Sequence, residues 1–344
     1  MPERPVKLAV IGLGMASKPH MAALKQLAPG VEVTGLYARS QQRREEVSAA
    51  WGWPIFDDID ALAASDVDGA IIITPPNARA EIVQVLANSG KAILMEKPVE
   101  RDLARAIRIV ETCEGADVPL GLVLQHRFRS GAEALAELIG SGKAGRLHMA
   151  RVTLPWWREQ SYYDQPGRGT YAMDGGGVLL TQAIHVLDLM LSLTGPVTEV
   201  SAMIGTTGLH QMEAEDFATA GLRFENGAIG SVVATTSAFP GDAETLILDC
   251  EHAAVRLTAG ELVIHWRDGH TESVGEVTGT GGGSDPMDFP CDWHRDLIAD
   301  FAGALRENRP PRITGREALG VHRLIDAIER SAKSGTVAAV EGVT

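Results

Sequence analysis

At 344 residues, with 45% apolar side chains and a formal charge of −14, the chain is long enough for two hydrophobic cores. Its acidic balance excludes a nucleic-acid partner, since phosphate binding needs a basic face. No apolar run reaches the roughly 18 residues a membrane helix needs, and Met1-Pro2-Glu3-Arg4-Pro5 lacks the apolar stretch of a secretory signal, so a soluble, cytoplasmic protein without a membrane partner is expected.

Residues 7–11 form a short β-rich run, Gly12-Leu13-Gly14-Met15-Ala16-Ser17 follows, and a helical pattern continues through Met21, Leu24 and Leu27. Strand, tight glycine turn and helix make the context in which dinucleotides bind. Gly12 permits the turn and Gly14 lets a pyrophosphate approach the backbone. The helix opening after Met15 and Ala16 offers its N-H groups and positive dipole end to phosphate. Ser17 stands where a third glycine is usual.

Residues 31–38 read as the second strand. NAD-binding chains usually place an acid near its end to accept hydrogen bonds from the adenosine ribose. Here the residues are Ala38-Arg39-Ser40. Without the acid there is no repulsion of a 2'-phosphate, and a guanidinium plus a hydroxyl offer it partners, so NADP(H) is expected over NAD(H). The alternative is that Arg39, with Arg43 and Arg44, is the solvated start of a helix.

A third buried-type strand, 68–74, is halted by Pro75-Pro76-Asn77, and a helix over 79–89 stops at Gly90. The run Ala92-Ile93-Leu94-Met95-Glu96-Lys97-Pro98 reads as a buried parallel strand. It delivers Lys97 to the carboxyl end, where open α/β sheets bind ligands; the alternative is a surface lysine after a strand. Asp102 opens another helix, and 119–124 forms the next strand. This alternation predicts a doubly wound parallel sheet, an α/β Rossmann-type dinucleotide-binding domain over 1–126.

After Gln125-His126-Arg127-Phe128 the pattern changes. A helix carrying Leu135, Leu138 and Ile139 precedes strands at 146–154, 197–204, 217–224 and 228–235 in hairpin order, with Asn226-Gly227 as a turn. Strands at 245–249, 254–257 and 261–266 follow. The expectation for 127–344 is an α+β substrate-binding domain with a large antiparallel sheet, one broad face of which pairs with a copy of itself. The glycine-rich segment 278–286 lacks the Lys-Ser/Thr ending of a P-loop and reads as a connector. Residues 293–307 and 317–331 are amphipathic.

No metal site is expected. Cys113, Cys250 and Cys291 are scattered, the ten histidines include no His-Glu-x-x-His, and His265 and His270 merely flank the hairpin turn Arg267-Asp268-Gly269.

Gly175-Gly176-Gly177 precedes a helix over 178–192 that ends before Gly195-Pro196. Thr181, His185, Asp188 and Ser192 recur at i, i+4, i+7 and i+11, one polar stripe on a helix otherwise apolar nearly all round. Buried polar groups need partners or a ligand, and a histidine among them is a natural proton carrier. The alternative is a satisfied core histidine.

Together these motifs resemble the glucose-fructose oxidoreductase, inositol dehydrogenase and rhizopine-catabolism (Gfo/Idh/MocA) oxidoreductases. The resemblance runs from Gly12-Leu13-Gly14 with His20, through Thr74-Pro75-Pro76-Asn77 and Glu96-Lys97-Pro98, to Gly175-Gly176-Gly177 with His185 and His294-Arg295-Asp296-Leu297-Ile298. It implies a Rossmann domain and an antiparallel α+β domain with substrate between them, assembled as a homodimer or homotetramer. Lys97 would then meet the substrate oxygen near the nicotinamide and His185 would be the acid/base. Glu96 would shape the nicotinamide pocket, and Asn77 would lie along the cofactor.

By the same resemblance Arg127, Tyr163, Arg168 and Asp188 would hold substrate hydroxyls, and Trp156 or Trp157 would offer an apolar platform to a sugar face. Thr181 replaces an acid common one turn before the histidine; it can orient the ring but cannot offset its charge. Arg79 stands where a histidine is common. The implied activity is hydride transfer between NADP (alternatively NAD) and a secondary alcohol or carbonyl of a sugar, cyclitol or polyol. A cofactor-assisted glycosidase and a non-catalytic NADP-binding sensor are the alternatives.

Overall fold

The computed structural model describes residues 4–279 and 289–342, so most of the connector read at 278–286 lies outside the described residues. By contact the chain falls into two compact units, Met1–Leu124 with Cys291–Leu319, and Gln125–Pro290 with Gly320–Thr344. No helix among the described residues is long and apolar enough to cross a membrane.

In the first unit β1 (Val6–Ile11) leads through the glycine turn into α1 (Ser17–Gln26), and β2 (Val31–Tyr37) into α2 (Gln41–Trp51). The short α3 (Ile59–Ala64) precedes β3 (Gly69–Ile72). A 3-10 turn and α4 (Ala80–Asn88) lead to β4 (Ala92–Glu96), and α5 (Leu103–Gly115) to β5 (Leu120–Val123). Ser40, Asp58 and Asp102 cap α2, α3 and α5 by accepting from the N-H three residues on. The strands form a parallel five-stranded sheet in the order β2-β1-β3-β4-β5. Both faces are covered, which is why β3, β4 and β5 are runs of buried apolar residues rather than alternations.

The second unit opens with a 3-10 turn at Gln125–Phe128, α6 (Ser130–Gly140), β6 (Leu147–Pro155) and the single-turn α7 (Gln160–Tyr163). A π-helical turn, Leu179–Ala183, runs into α8 (Ile184–Thr194). Then come β7 (Val197–Gly205), β8 (Phe217–Phe224), β9 (Ile229–Thr235), β10 (Thr245–Cys250), β11 (Ala253–Thr258), β12 (Glu261–Trp266) and β13 (Thr271–Val274). α9 (Asp292–Glu307), α10 (Gly315–Ser334) and the short β14 (Ala338–Ala339) close the chain.

Three expectations are corrected. The large sheet is mixed: in its order β13-β12-β11-β10-β6-β9-β8-β7-β14, β6 and β9 run parallel and the other neighbours antiparallel. β6 therefore does not start a hairpin series; the long connection through α7 and α8 gives the chain length to cross over. The helix expected over 178–192 is not uniform, because the π-helical turn interrupts its period and Ser192 ends exposed rather than on a buried stripe. Finally, the chain returns to the first unit after residue 290, where α9 packs on α1 and against β1, β4 and β5. A single break after residue 126 does not describe that return.

Candidate active site

In the first unit the carboxyl ends of β1, β3 and β4 share one edge of the parallel sheet, and the strand order reverses between β1 and β3, where such sheets bind ligands. Gly12 sits there with φ +98°, and a Cβ on it would lie 2.7 Å from the Thr74 nitrogen, so only glycine fits. A Cβ on Gly14 would meet nothing within 4 Å, leaving space above the turn. α1 starts at Ser17 after Ala16, which gives it no side-chain cap, and it has no acid in its first turn. Met15 is exposed beside it. Open space above a glycine turn and an uncapped helix start suit a pyrophosphate, so these residues fit a dinucleotide.

At the end of β2, Arg39 and Ser40 are exposed. The Ser40 hydroxyl oxygen accepts from the Arg43 N-H at 3.2 Å, and Arg43 Nε donates to the Leu13 carbonyl at 2.8 Å, bracing the glycine turn from α2. Pro75 and Asn77 stand exposed beyond β3, and the Thr74 hydroxyl is buried.

Lys97 is half-buried just past β4, its N-H donating to Glu96 Oε2 at 3.0 Å. Glu96 Oε1 is 2.8 Å from His20 Nε2, and the His20 and His294 rings form a T-shaped pair with centroids 4.8 Å apart. Burial works to raise the Glu96 carboxyl, but the His20 hydrogen bond and the neighbouring positive charges outweigh it and hold the group at about 2. Burial, with His20 beside it, pushes His294 down to about 3, which keeps that ring neutral near pH 7. The ligand atoms of His20, Glu96 and His294 lie within 4.8 Å of one another, a donor set with zinc-type chemistry. Here Glu96 is instead engaged by His20 and by the Lys97 backbone, which fixes the strand end that presents the lysine.

Arg79, marked in the sequence only as standing where a histidine is common, has a structural role in this unit. Its guanidinium is only 2% exposed and donates to Thr74 O at 2.9 and 2.7 Å and to the carbonyls of Glu96 and Pro98, tying the ends of β3 and β4 together. Burial lowers it to about 10, with the charges of Glu96 and Glu100 working the other way.

In the second unit His185 lies in the first turn of α8, 7% exposed, its ring stacked on His126 with centroids 4.9 Å apart. Asp188 takes a two-pronged ion pair from Arg127, Nε to Oδ2 at 2.7 Å and Nη2 to Oδ1 at 2.6 Å. These two proposed substrate holders therefore hold each other. Thr181 donates its hydroxyl to the Gly177 carbonyl at 2.6 Å.

The last glycine of the run before His185 has a steric cause. A Cβ on Gly177 would lie 1.7 Å from the Glu215 carbonyl oxygen, and the Glu215 carboxylate accepts from the N-H groups of Gly177 and Leu179 at 3.0 and 3.1 Å. Glu215 thus caps the helix that carries the histidine.

Among the remaining expected substrate residues, Tyr163 and Trp157 both lie against the His210 ring, with centroids 4.8 and 5.8 Å from it. Tyr163 is buried, its hydroxyl 2.6 Å from Thr236 Oγ1, and burial raises its pKa. Trp157 donates to Glu159 at 2.9 Å and meets the Phe239 ring edge-on at 5.4 Å, while Trp156 is buried and donates to Glu244 at 3.3 Å. Arg168 pairs with Asp174 at 3.6 Å.

Residues 6–123 match a family described as "Oxidoreductase family, NAD-binding Rossmann fold", and residues 132–256 match the "GFO/IDH/MocA C-terminal domain". The chain belongs to the Gfo/Idh/MocA oxidoreductases. It is 28% identical to a D-apiose dehydrogenase of Paraburkholderia graminis over 96% of this chain and 88% of that protein. It is 26% identical to a myo-inositol 2-dehydrogenase of Thermotoga maritima over 66% and 67% of the two chains. The WlbA dehydrogenase of Bordetella pertussis, solved with NADH and UDP-GlcNAcA, is 29% identical and superposes with a TM-score of 0.84 over 98% of this chain and 99% of its own.

Proposed function

We propose that the chain oxidises a secondary alcohol, or reduces the corresponding carbonyl, of a sugar, cyclitol or related polyol, with NADP(H) preferred over NAD(H). The observation that carries the reading is that the open glycine turn, Thr74 and Lys97 stand at one carboxyl edge of the sheet. The named activities of the apiose and inositol dehydrogenases support the substrate class.

A bound nicotinamide would accept or supply the hydride. Lys97 would donate to the substrate oxygen as negative charge develops there, and His185 would take the hydroxyl proton in oxidation and return it in reduction. The Lys97 N-H is held by Glu96, so the lysine leaves a braced strand end. Exposed Arg39, with no acid at the end of β2, supports the preference for a 2'-phosphate.

The test is cofactor reduction with NADP+ and with NAD+ over a panel that includes D-apiose and myo-inositol. The expected result is turnover of at least one sugar or cyclitol, with a higher kcat/KM for NADP+ that falls about ten-fold in Arg39→Ala. A clear NAD+ preference in the wild type would reject the cofactor assignment, and no turnover across the panel would reject the substrate class.

Self-association belongs to the same proposal. Met203, Ile229 and Val233 are exposed on one face of the mixed sheet, where Met203 and Val233 flank Thr219 as cross-strand neighbours. Exposed apolar side chains on a broad sheet suit a two-fold pairing of copies.

A further inference from the structure

Resting on the reading that His185 carries a proton, we infer that His126 is its positioning residue: a neutral imidazole, locked in one tautomer by Arg129, lying flat against the His185 ring and favouring its protonated form. The ring planes are inclined by only 25°. His126 is 3% exposed, so the contact is made away from solvent.

The tautomer follows from chemistry. A guanidinium has donors only, and Arg129 Nη2 lies 2.6 Å from His126 Nε2, so that nitrogen accepts and the ring proton sits on Nδ1. Arg129 is itself fixed by a buried ion pair with Glu244, which also takes the Trp156 indole N-H at 3.3 Å. Glu244 thus holds Arg129, Arg129 holds His126, and the face of His126 backs His185. A second imidazolium there would repel the first, whereas the π face of a neutral ring attracts a cation.

The other groups around α8 do not replace this contact. Asp188, on the same helix, has its charge offset by Arg127. Thr181 and Gln182 on the π-helical turn are uncharged. β6, packed against α8, buries Ala150, Val152 and Leu154 and pairs Arg151 with Asp249. α6, also packed against α8, carries Glu133 and Glu137 exposed. A leucine could fill the space of His126 but could neither accept from Arg129 nor present a π face.

The test is NMR of the full chain isotope-labelled in its histidine rings, which reports the tautomer and protonation of each ring directly. His126→Leu and His185→Gln supply the assignments. His126 is expected to show an unprotonated Nε2 and a protonated Nδ1 throughout the pH range in which His185 titrates. In His126→Leu the His185 midpoint should fall, a three- to ten-fold loss of proton affinity of about the size of ring stacking and cation-π contacts. His126→Phe, which keeps a flat ring, should retain most of the wild-type midpoint.

A His126 ring that gains a second proton in step with His185 would overturn the inference, as would an unchanged His185 midpoint in His126→Leu. The tautomer measurement uses the wild type, so a variant that fails to fold leaves the test in place. Turnover of His185→Gln decides the underlying reading separately, because the stack and its tautomer stay measurable whatever that activity is.

Discussion

Arg79 shows how much one side chain can organise at a strand edge. Its guanidinium serves the carbonyls of Thr74, Glu96 and Pro98 from a fully buried position. Arg79→Met should leave three carbonyl oxygens without their donor and cost about 2–4 kcal/mol in denaturant unfolding, with kcat falling because the residues beside Lys97 lose their tie. A stability change within 0.5 kcal/mol, the ordinary range of an unremarkable surface substitution, would mean that the strand ends hold without it.

At Gly177 the sign is fixed by space. A Cβ 1.7 Å from the Glu215 carbonyl cannot be accommodated without moving backbone, so Gly177→Ala should destabilise by about 1–3 kcal/mol in thermal unfolding. Lys97, His185 and Gly12 could be singled out in the sequence as candidates because each lies in a local motif whose neighbours mark it. The partners of His126, Glu215 and His294 could not be. Each acts on a residue far away in the chain, as Glu215 does on Gly177 and His294 on His20, and nothing local signals the pairing.

The elements of the first unit could be read from strand-helix alternation, and the Asn226-Gly227 hairpin between β8 and β9 from its turn residues. The π-helical turn could not. A segment apolar on all sides has no phase, so its periodicity does not separate 3.6 residues per turn from a wider coil. The neighbours of β6 were hidden for a similar reason: alternation says which face of a strand is buried, not which strand lies beside it.

Glu329, which feels the charge of the Glu215 cap, carries a pH dependence. Burial, then the charge of Glu215, pushes the Glu329 carboxyl from its ordinary 4.5 up to about 7, and burial also raises Glu215. The folded protein therefore binds more protons at Glu329 than the unfolded chain between those values, and that contribution to stability falls as pH rises through the window, levelling off above about 7. Glu329→Gln should remove this slope, giving a variant more stable than wild type above pH 7 by about 1 kcal/mol or more. The difference should shrink toward pH 4.5, as followed by unfolding at several pH values. A gap that does not narrow on acidification would contradict the assignment.

For the whole molecule, the sequence conveyed two fold types but not the route between them. α9 belongs with the first unit although the mixed sheet precedes it, and an amphipathic helix shows that it packs without showing on what. Assembly is tested at this scale as well. Met203→Glu together with Ile229→Glu places two charges on the exposed sheet face and should shift the sedimenting species from oligomer to monomer. An unchanged mass would move the interface elsewhere.

By the proposed function, Lys97 and His185 carry the chemistry while the glycine turn carries the cofactor. The most direct measurement of this is turnover of NADP+ with the best sugar or cyclitol of the panel for wild type, Lys97→Met and His185→Gln, with NADPH affinity followed by fluorescence in each. Both variants are expected to turn over about 100-fold or more slowly, with NADPH binding within about three-fold of wild type, under 1 kcal/mol. Wild-type turnover in both variants would contradict the account.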